Sequence, residues 1–342
     1  MSDVVEEKRS GTINWGFWIR LLVAGSIIGL IVWKNDWELF FSEFLQADWF
    51  WLAAAFLSFG LNLLIGAARW LFLLRVQGIV LPYRETLTIN MVGLFFNQFL
   101  FGSTGGDLIK IFYAIRKAPD KKAEATLSMV MDRVLGLIAI LGVTFLLIPL
   151  EWSTLSQHEE TRRIVIGLAV VLTGVFAGLA MVFFFPLQVL PQFVQTLWLK
   201  IPKREVVESL YNGMQAHGKQ SKYTCCAVGT AVLTVIPLLS VGWFLAKALH
   251  LDIAYGPMTI LFAIVLCAMS IPLFPGGHGI REGAFFLLFG LFSVSRHGQV
   301  VGEETALACS TLFLMTVLVW SLAGGAVYLF FSSYLKQTTV NM

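Results

Sequence analysis

Apolar runs follow one another along this chain with short polar interruptions, near residues 16–33, 49–74, 86–101, 124–149, 164–186, 223–249, 256–274, 283–292 and 305–334. Crossing a hydrocarbon core ~30 Å thick takes about 20 helical residues, and most of these runs reach that length. If all of them crossed, the basic loops would alternate between sides, against the bias of Lys and Arg toward the cytoplasm. The run at 86–101 is preceded by Arg84 and followed, after GSTGGD, by Arg116, Lys117, Lys121 and Lys122, so both of its ends belong on one side. This predicts a re-entrant hairpin: one half-helix enters from the cytoplasm, the chain turns at Gly102 to Asp107, and a second half-helix returns. Irregular backbone at that depth is tolerated only against protein or a water-filled cavity. The run at 256–274 is broken by PGGHGIREG and flanked by Asp252, Glu303 and Glu304, which predicts a second hairpin opening to the outside.

The 24 basic residues test this arrangement. It places sixteen of them, Lys110 included, on the cytoplasmic side and five outside, with Arg69, Arg133 and Arg281 inside apolar segments. The expected fold class is therefore an all-α polytopic membrane protein with six full spans and two opposed re-entrant broken-helix hairpins, both termini cytoplasmic. Residues 1–342 form one integral membrane domain, with half-repeats at 1–150 and 151–342. Each half holds three spans and one hairpin, and three is odd, so the second half is inverted relative to the first. Inverted repeats with broken helices are the architecture of transporters whose site lies near the bilayer midplane.

Composition narrows the reading further. The chain is 57% hydrophobic and 13% charged with mean hydropathy +0.78, which excludes a soluble half-buried fold. A net charge of +3 argues against nucleic acid as a partner. Cys225, Cys226, Cys267 and Cys309 lie in apolar segments without metal-ligand spacing, so they read as packing residues, and no metal or cofactor is expected. The first run ends in Lys34, Asn35 and Asp36 rather than a cleavage site, so it is expected to be a retained span. The polar stretch 187–222 has helical spacing of Val206, Val207, Leu210, Tyr211 and Met214, and reads as an interfacial amphipathic connector.

Ionisable residues inside the bilayer are the candidate chemistry. An arginine at a helix centre costs roughly 2.5–3.5 kcal/mol on insertion scales, so such groups stay where partners or function repay it. Arg281 and Glu282 follow the second break at the start of a half-helix, whose positive end favours an anion. A planar guanidinium there binds two phosphate oxygens at once. Glu282 is expected to hold the arginine or satisfy the helix N-terminus, while Gly276, Gly277 and Gly279 permit close backbone approach. At the first break, Asn97, Gly105, Gly106, Asp107 and Lys110 are the counterparts, with Asp107 expected to cap the returning half-helix. Asp132 and Arg133 are adjacent on a helix and point about 100° apart, so each needs a partner elsewhere, and the hairpins are the nearest sources. Arg69 either snorkels to the cytoplasmic headgroups or joins the site. His278 is expected to be a polar turn residue, with proton carriage as its alternative.

Several motifs in order carry a family resemblance from about Trp49 onward: ARWLFLLR, NQFLFGSTGGDLIK, MDRVLGL, PLFPGGHGIREG and LAGGAVYLF. Together they resemble the flippase-like transmembrane region of lysylphosphatidylglycerol synthases and their stand-alone relatives. Two features depart from the family pattern: Phe101 and Gly102 stand where a proline is usual, and Lys110 where an arginine is usual. Lysine is a weaker fork for phosphate, which bears on headgroup preference. The chain ends at Met342 without a soluble aminoacyl-transfer domain, so synthesis by that route is not expected. The resemblance implies a flippase-like transporter of an anionic, aminoacylated or polyprenyl-phosphate-linked lipid in the cell inner membrane. Membrane lipids with phosphate headgroups are the expected partners. The alternatives are a membrane enzyme acting on a lipid-linked phosphate, and a non-catalytic partner of a glycosyltransferase or synthase. No Ser/His/Asp or Cys/His arrangement at interpretable spacing favours the enzyme.

Overall fold

The structure, a computed structural model, describes residues 44–99, 105–156, 159–184, 221–270 and 279–340. It is mostly helical. In chain order the helices are α1 (Trp49–Val76), α2 (Tyr83–Phe99), α3 (Gly105–Lys117), α4 (Lys122–Leu150), the single turn α5 (Trp152–Leu155), α6 (Glu159–Phe184), α7 (Ser221–Ala248), α8 (Tyr255–Met269), α9 (Ile280–Leu291) and α10 (Glu303–Val340). A two-residue antiparallel ribbon, β1 (Ser295–Arg296) with β2 (Gln299–Val300), joins α9 to α10. The expected span at 16–33, the connector up to residue 220, and residues 102–104 and 271–278 of the two breaks lie outside the described residues, and Gly276, Gly277 and His278 go with them.

Among the described residues, four helices are long and apolar enough to cross a membrane: α1, α4, and the stretches Lys222–Ala248 of α7 and Glu304–Leu329 of α10. Of the apolar run at 164–186, the described part, to Phe184, falls on α6. The intervening helices α2, α3, α8 and α9 have 17, 13, 15 and 12 residues, each short of the ~20 a full crossing takes. A long helix, two short ones and a long helix thus occur twice, as α1 to α4 and as α7 to α10.

The two leading helices run antiparallel along each other. At one end the Asp48 N–H donates to the Ala248 carbonyl at 3.0 Å, and at the other Arg75 lies 5.9 Å from the Tyr223 ring centre. Asp48 also caps α1, accepting the Phe50 N–H at 2.8 Å. The short helix α2 is wedged between α3 and α10. Phe96 meets Tyr328 edge-on at 5.0 Å, and Trp320 stacks on Phe56 while its Nε1 donates to the Phe56 carbonyl at 3.0 Å. Trp70, Leu74, Ile89, Val92, Tyr113 and Ala114 form the apolar core beneath the first hairpin. Phe262, Phe285, Phe289 and Phe313 fill the corresponding place under the second, with ring centres 5.0–6.0 Å apart.

The hairpin of α2 and α3 closes because a glycine stands at Gly106. A Cβ there would strike the carbonyl of Gly93 on α2, and Asn97 lies on its other side. Overpacking usually costs about 1–3 kcal/mol, and here the obstacle is backbone that has no rotamer to yield. Gly106→Ala is therefore expected to lower stability by about 3 kcal/mol, read as a fall in thermal midpoint in detergent; an unchanged midpoint would mean that the helices separate freely.

Candidate functional site

Three elements bring five charged side chains together beside the first break. On α1, Arg69 points across to α4, where its Nε donates to Asp132 Oδ1 at 2.6 Å, and its Nη1 reaches Thr234 of α7 at 3.4 Å. On α4, Arg133 turns the other way, as adjacent helical residues must, and its Nε pairs with Asp107 Oδ2 on α3. Lys110 stands one turn beyond Asp107 on α3, in the field of all four. Its alkyl stem packs over Gly93, its Nζ lies 5.4 Å from the ring centre of Trp70, and it is 7% exposed. The Trp70 indole is held in turn by a 3.3 Å hydrogen bond from Nε1 to Ser128.

The arithmetic of this cluster is its main property. Three cations face two carboxylates, and each carboxylate is engaged by an arginine. Among the described residues, no hydrogen bond or carboxylate within 4 Å reaches the Lys110 ammonium, which keeps the aromatic face of Trp70 as its direct contact. A cation–π contact is worth about 0.5–2 kcal/mol, well short of the several kcal/mol that removing an ammonium from water costs. Among the described residues one positive charge is thus left over in a buried place, toward the N-terminal end of the short helix α3, whose dipole adds to the positive potential. Such an arrangement is suited to an anion.

The second break is built differently. Glu282 does both things expected of it: one oxygen pairs with Arg281, and the other accepts the N–H of Gly279 at 2.6 Å, closing the first turn of α9. Gly279 has φ +84°, a left-handed conformation that glycine adopts without a Cβ penalty. Arg281 is 1% exposed, and its Nε donates to Ser310 of α10 at 2.8 Å. Nη2 is held by the Glu282 carboxylate and Nε by the Ser310 hydroxyl, and the Arg281–Glu282 pair carries no net charge. The contacts of Arg281 and those of the Lys110 cluster share no residue.

Of the residues anticipated, Arg69, Asn97, Gly105, Gly106, Asp107, Lys110, Asp132 and Arg133 gather at the first break, and Gly279, Arg281 and Glu282 at the second. Some roles differ from expectation. Asp107 spends its carboxylate on Arg133, and it is Asn97, from across the break, whose Oδ1 accepts the Gly106 N–H at 2.8 Å. Arg69 joins the cluster, paired with Asp132 of α4. Asp132 finds its partner on a full-length helix rather than on a hairpin. Lys110, counted above with the cytoplasmic loops, is buried in the cluster. Trp70, Thr234 and Ser310 were not anticipated. Trp70 adjoins Arg69, but nothing in a sequence marks which ring will lie under an ammonium.

A mostly helical, multi-pass membrane protein with a positively biased charge cluster beside a helix break is the class these elements define. The family described as the lysylphosphatidylglycerol synthase TM region matches over residues 17–301, and the chain belongs to it. It is also similar to a UPF0104 membrane protein of Pyrococcus horikoshii, 21% identical over 169 residues, or 48% of this chain. The match covers 49% of that protein, so the chain spans about half the length of this curated relative.

Proposed function

We propose that this protein is a flippase-like transporter that carries a lipid with an anionic phosphate headgroup across the cell inner membrane. The observation that carries the reading is the Lys110 ammonium, buried with no carboxylate of the described residues in contact, inside a cluster whose two carboxylates already hold arginines. A phosphate oxygen beside Nζ would supply the missing anion, with the Trp70 face and the first turn of α3 around it. Asp107 and Asp132 hold Arg133 and Arg69 in place, so that the headgroup meets positive charge fixed in advance.

The succession of a long helix, two short helices and a long helix, given twice, supports an inverted repeat with two re-entrant hairpins. Contacts recur in matching pairs: α1 with α2 and α7 with α8; α3 with α4 and α9 with α10; α2 with α10 and α8 with α4. In this reading both termini are cytoplasmic, and alternating exposure arises as one half moves against the other.

The test is reconstitution into liposomes with short-chain fluorescent phospholipids, followed by chemical quenching of the outer leaflet. Folded protein is expected to make both leaflets of at least one anionic lipid accessible. Protein that is folded yet moves no anionic lipid would overturn the proposal, and would turn attention to a role beside a separate synthase or glycosyltransferase.

A further inference from the structure

The charge count at Lys110 has a consequence for which headgroups fit. We infer that the site selects headgroups bearing a single negative charge, that is phosphodiesters, over phosphomonoesters and pyrophosphates. This rests on the headgroup reading above and narrows it.

Arg69, Lys110 and Arg133 against Asp107 and Asp132 leave one excess positive charge. A monoanion brings the total to zero. A dianion leaves one negative charge uncompensated in a poorly solvated place, where an unpaired ion costs several kcal/mol. Among the described residues no other charge is at hand to absorb it. The helix packed on the far side of Lys110, α2, presents Gly93 and Asn97 there, and its ionisable residues, Tyr83, Arg84 and Glu85, lie at its opposite end, where Glu85 pairs with Lys117 at 3.1 Å. The nearby side chain from α7 is the neutral Thr234. The buried Arg281 adds nothing, being neutralised by Glu282. Lysine also suits the task, since one compact ammonium matches one phosphodiester oxygen, whereas a guanidinium fork suits two.

Two lipid classes carry such a headgroup, diacylglycerol phosphodiesters and polyprenyl-phosphoryl sugars, and the chemistry they share is the singly charged phosphodiester. The experiment reconstitutes the full chain with four fluorescent lipids: phosphatidylglycerol and a polyprenyl-phosphoryl sugar as phosphodiesters, phosphatidic acid and a polyprenyl phosphate as phosphomonoesters. Exchange is followed from pH 8 to pH 6. A phosphomonoester whose second pKa is near 6 is about 1% monoanion at pH 8 and about half at pH 6. The ratio of monoester to diester exchange for lipids of one tail type should therefore rise about 50-fold on acidification. Each diester keeps its charge over this range, so it is the reference against which the change in the monoester's charge is read.

Two variants make the rule sharper. Asp132→Asn raises the cluster to two excess charges and should accept phosphomonoesters at pH 8, removing the pH dependence of the ratio. Arg69→Gln with Asp132→Asn returns the count to one and should restore the wild-type order of preference, whatever its absolute rate. Movement of the phosphodiester of one tail class alone identifies the tail and supports the charge rule. Equal exchange of monoester and diester at pH 8 by the wild type overturns the rule and leaves transport standing. Exchange of none of the four lipids by folded protein overturns the transport reading, and the rule with it.

Discussion

Lys110→Gln is expected to reduce headgroup exchange by about 30-fold or more while leaving thermal stability unchanged or raised. Losing one charged contact in a buried setting costs about 2–5 kcal/mol, and 1.4 kcal/mol corresponds to a factor of ten. Stability should move the other way because the substitution strands nothing. Asp107 and Asp132 keep their arginines, the side-chain stem still packs over Gly93, and a buried ammonium with no counter-ion among the described residues disappears. On insertion scales such a charge at a helix centre costs about 2.5–3.5 kcal/mol, which sets the upper limit of the gain. Arg133→Gln and Arg69→Gln are the contrast. Each leaves a carboxylate without its partner; Arg69→Gln breaks a largely buried pair from one side, which typically costs about 3–5 kcal/mol, and Arg133→Gln a more exposed one, which costs less. The measurement joins a leaflet-accessibility assay to a thermal-unfolding scan in the same detergent. Exchange that survives Lys110→Gln removes the ammonium from the headgroup site. A steep fall in the midpoint would instead make Lys110 a structural member of the cluster.

The long apolar runs and the basic flanks of the segment at 86–101 made both the long helices and the short pair α2 and α3 legible, because burial and loop charge act locally and leave a linear record. The site was legible in part for the same reason. Any ionisable residue in an apolar run has to be paid for, so Arg69, Asp132, Arg133 and Arg281 stood out. Their pairing was not legible. Arg69 meets Asp132 across 63 residues and Thr234 across 165, and the choice between them and a headgroup depends on how two helices lie side by side. Asp107 shows the limit more narrowly. Capping is the ordinary use of an aspartate in a first helical turn. An arginine on the neighbouring helix took it away, and Asn97 filled the role from the opposite limb of the hairpin. Lys110 was legible as a residue of the first break, although its nearness to Arg116 and Lys117 also counted it among the basic loops; its seat on Trp70 was not legible.

Arg281→Ala is expected to destabilise the protein by about 3–5 kcal/mol, since it strips Glu282 of its cation in a largely buried setting and leaves Ser310 without its donor. Exchange should fall as well, yet that loss would not by itself place a phosphate on the guanidinium, because α9 and its contact with α10 depend on the same pair. A double-mutant cycle separates the two causes. Glu282→Gln alone leaves Arg281 unpaired and should be comparably harmful. Arg281→Met combined with Glu282→Gln removes both charges, while a glutamine at 282 still offers a carbonyl oxygen to the Gly279 N–H. If the pair serves only to hold the second break, the double variant should recover most of the stability and much of the exchange, since replacing a buried ion pair by uncharged groups of similar volume is often neutral or favourable. Recovery of stability without recovery of exchange would give Arg281 a part in transport beyond its pairing. The headgroup would then pass two stations, a charged one at Lys110 and a second where Glu282 must release its arginine.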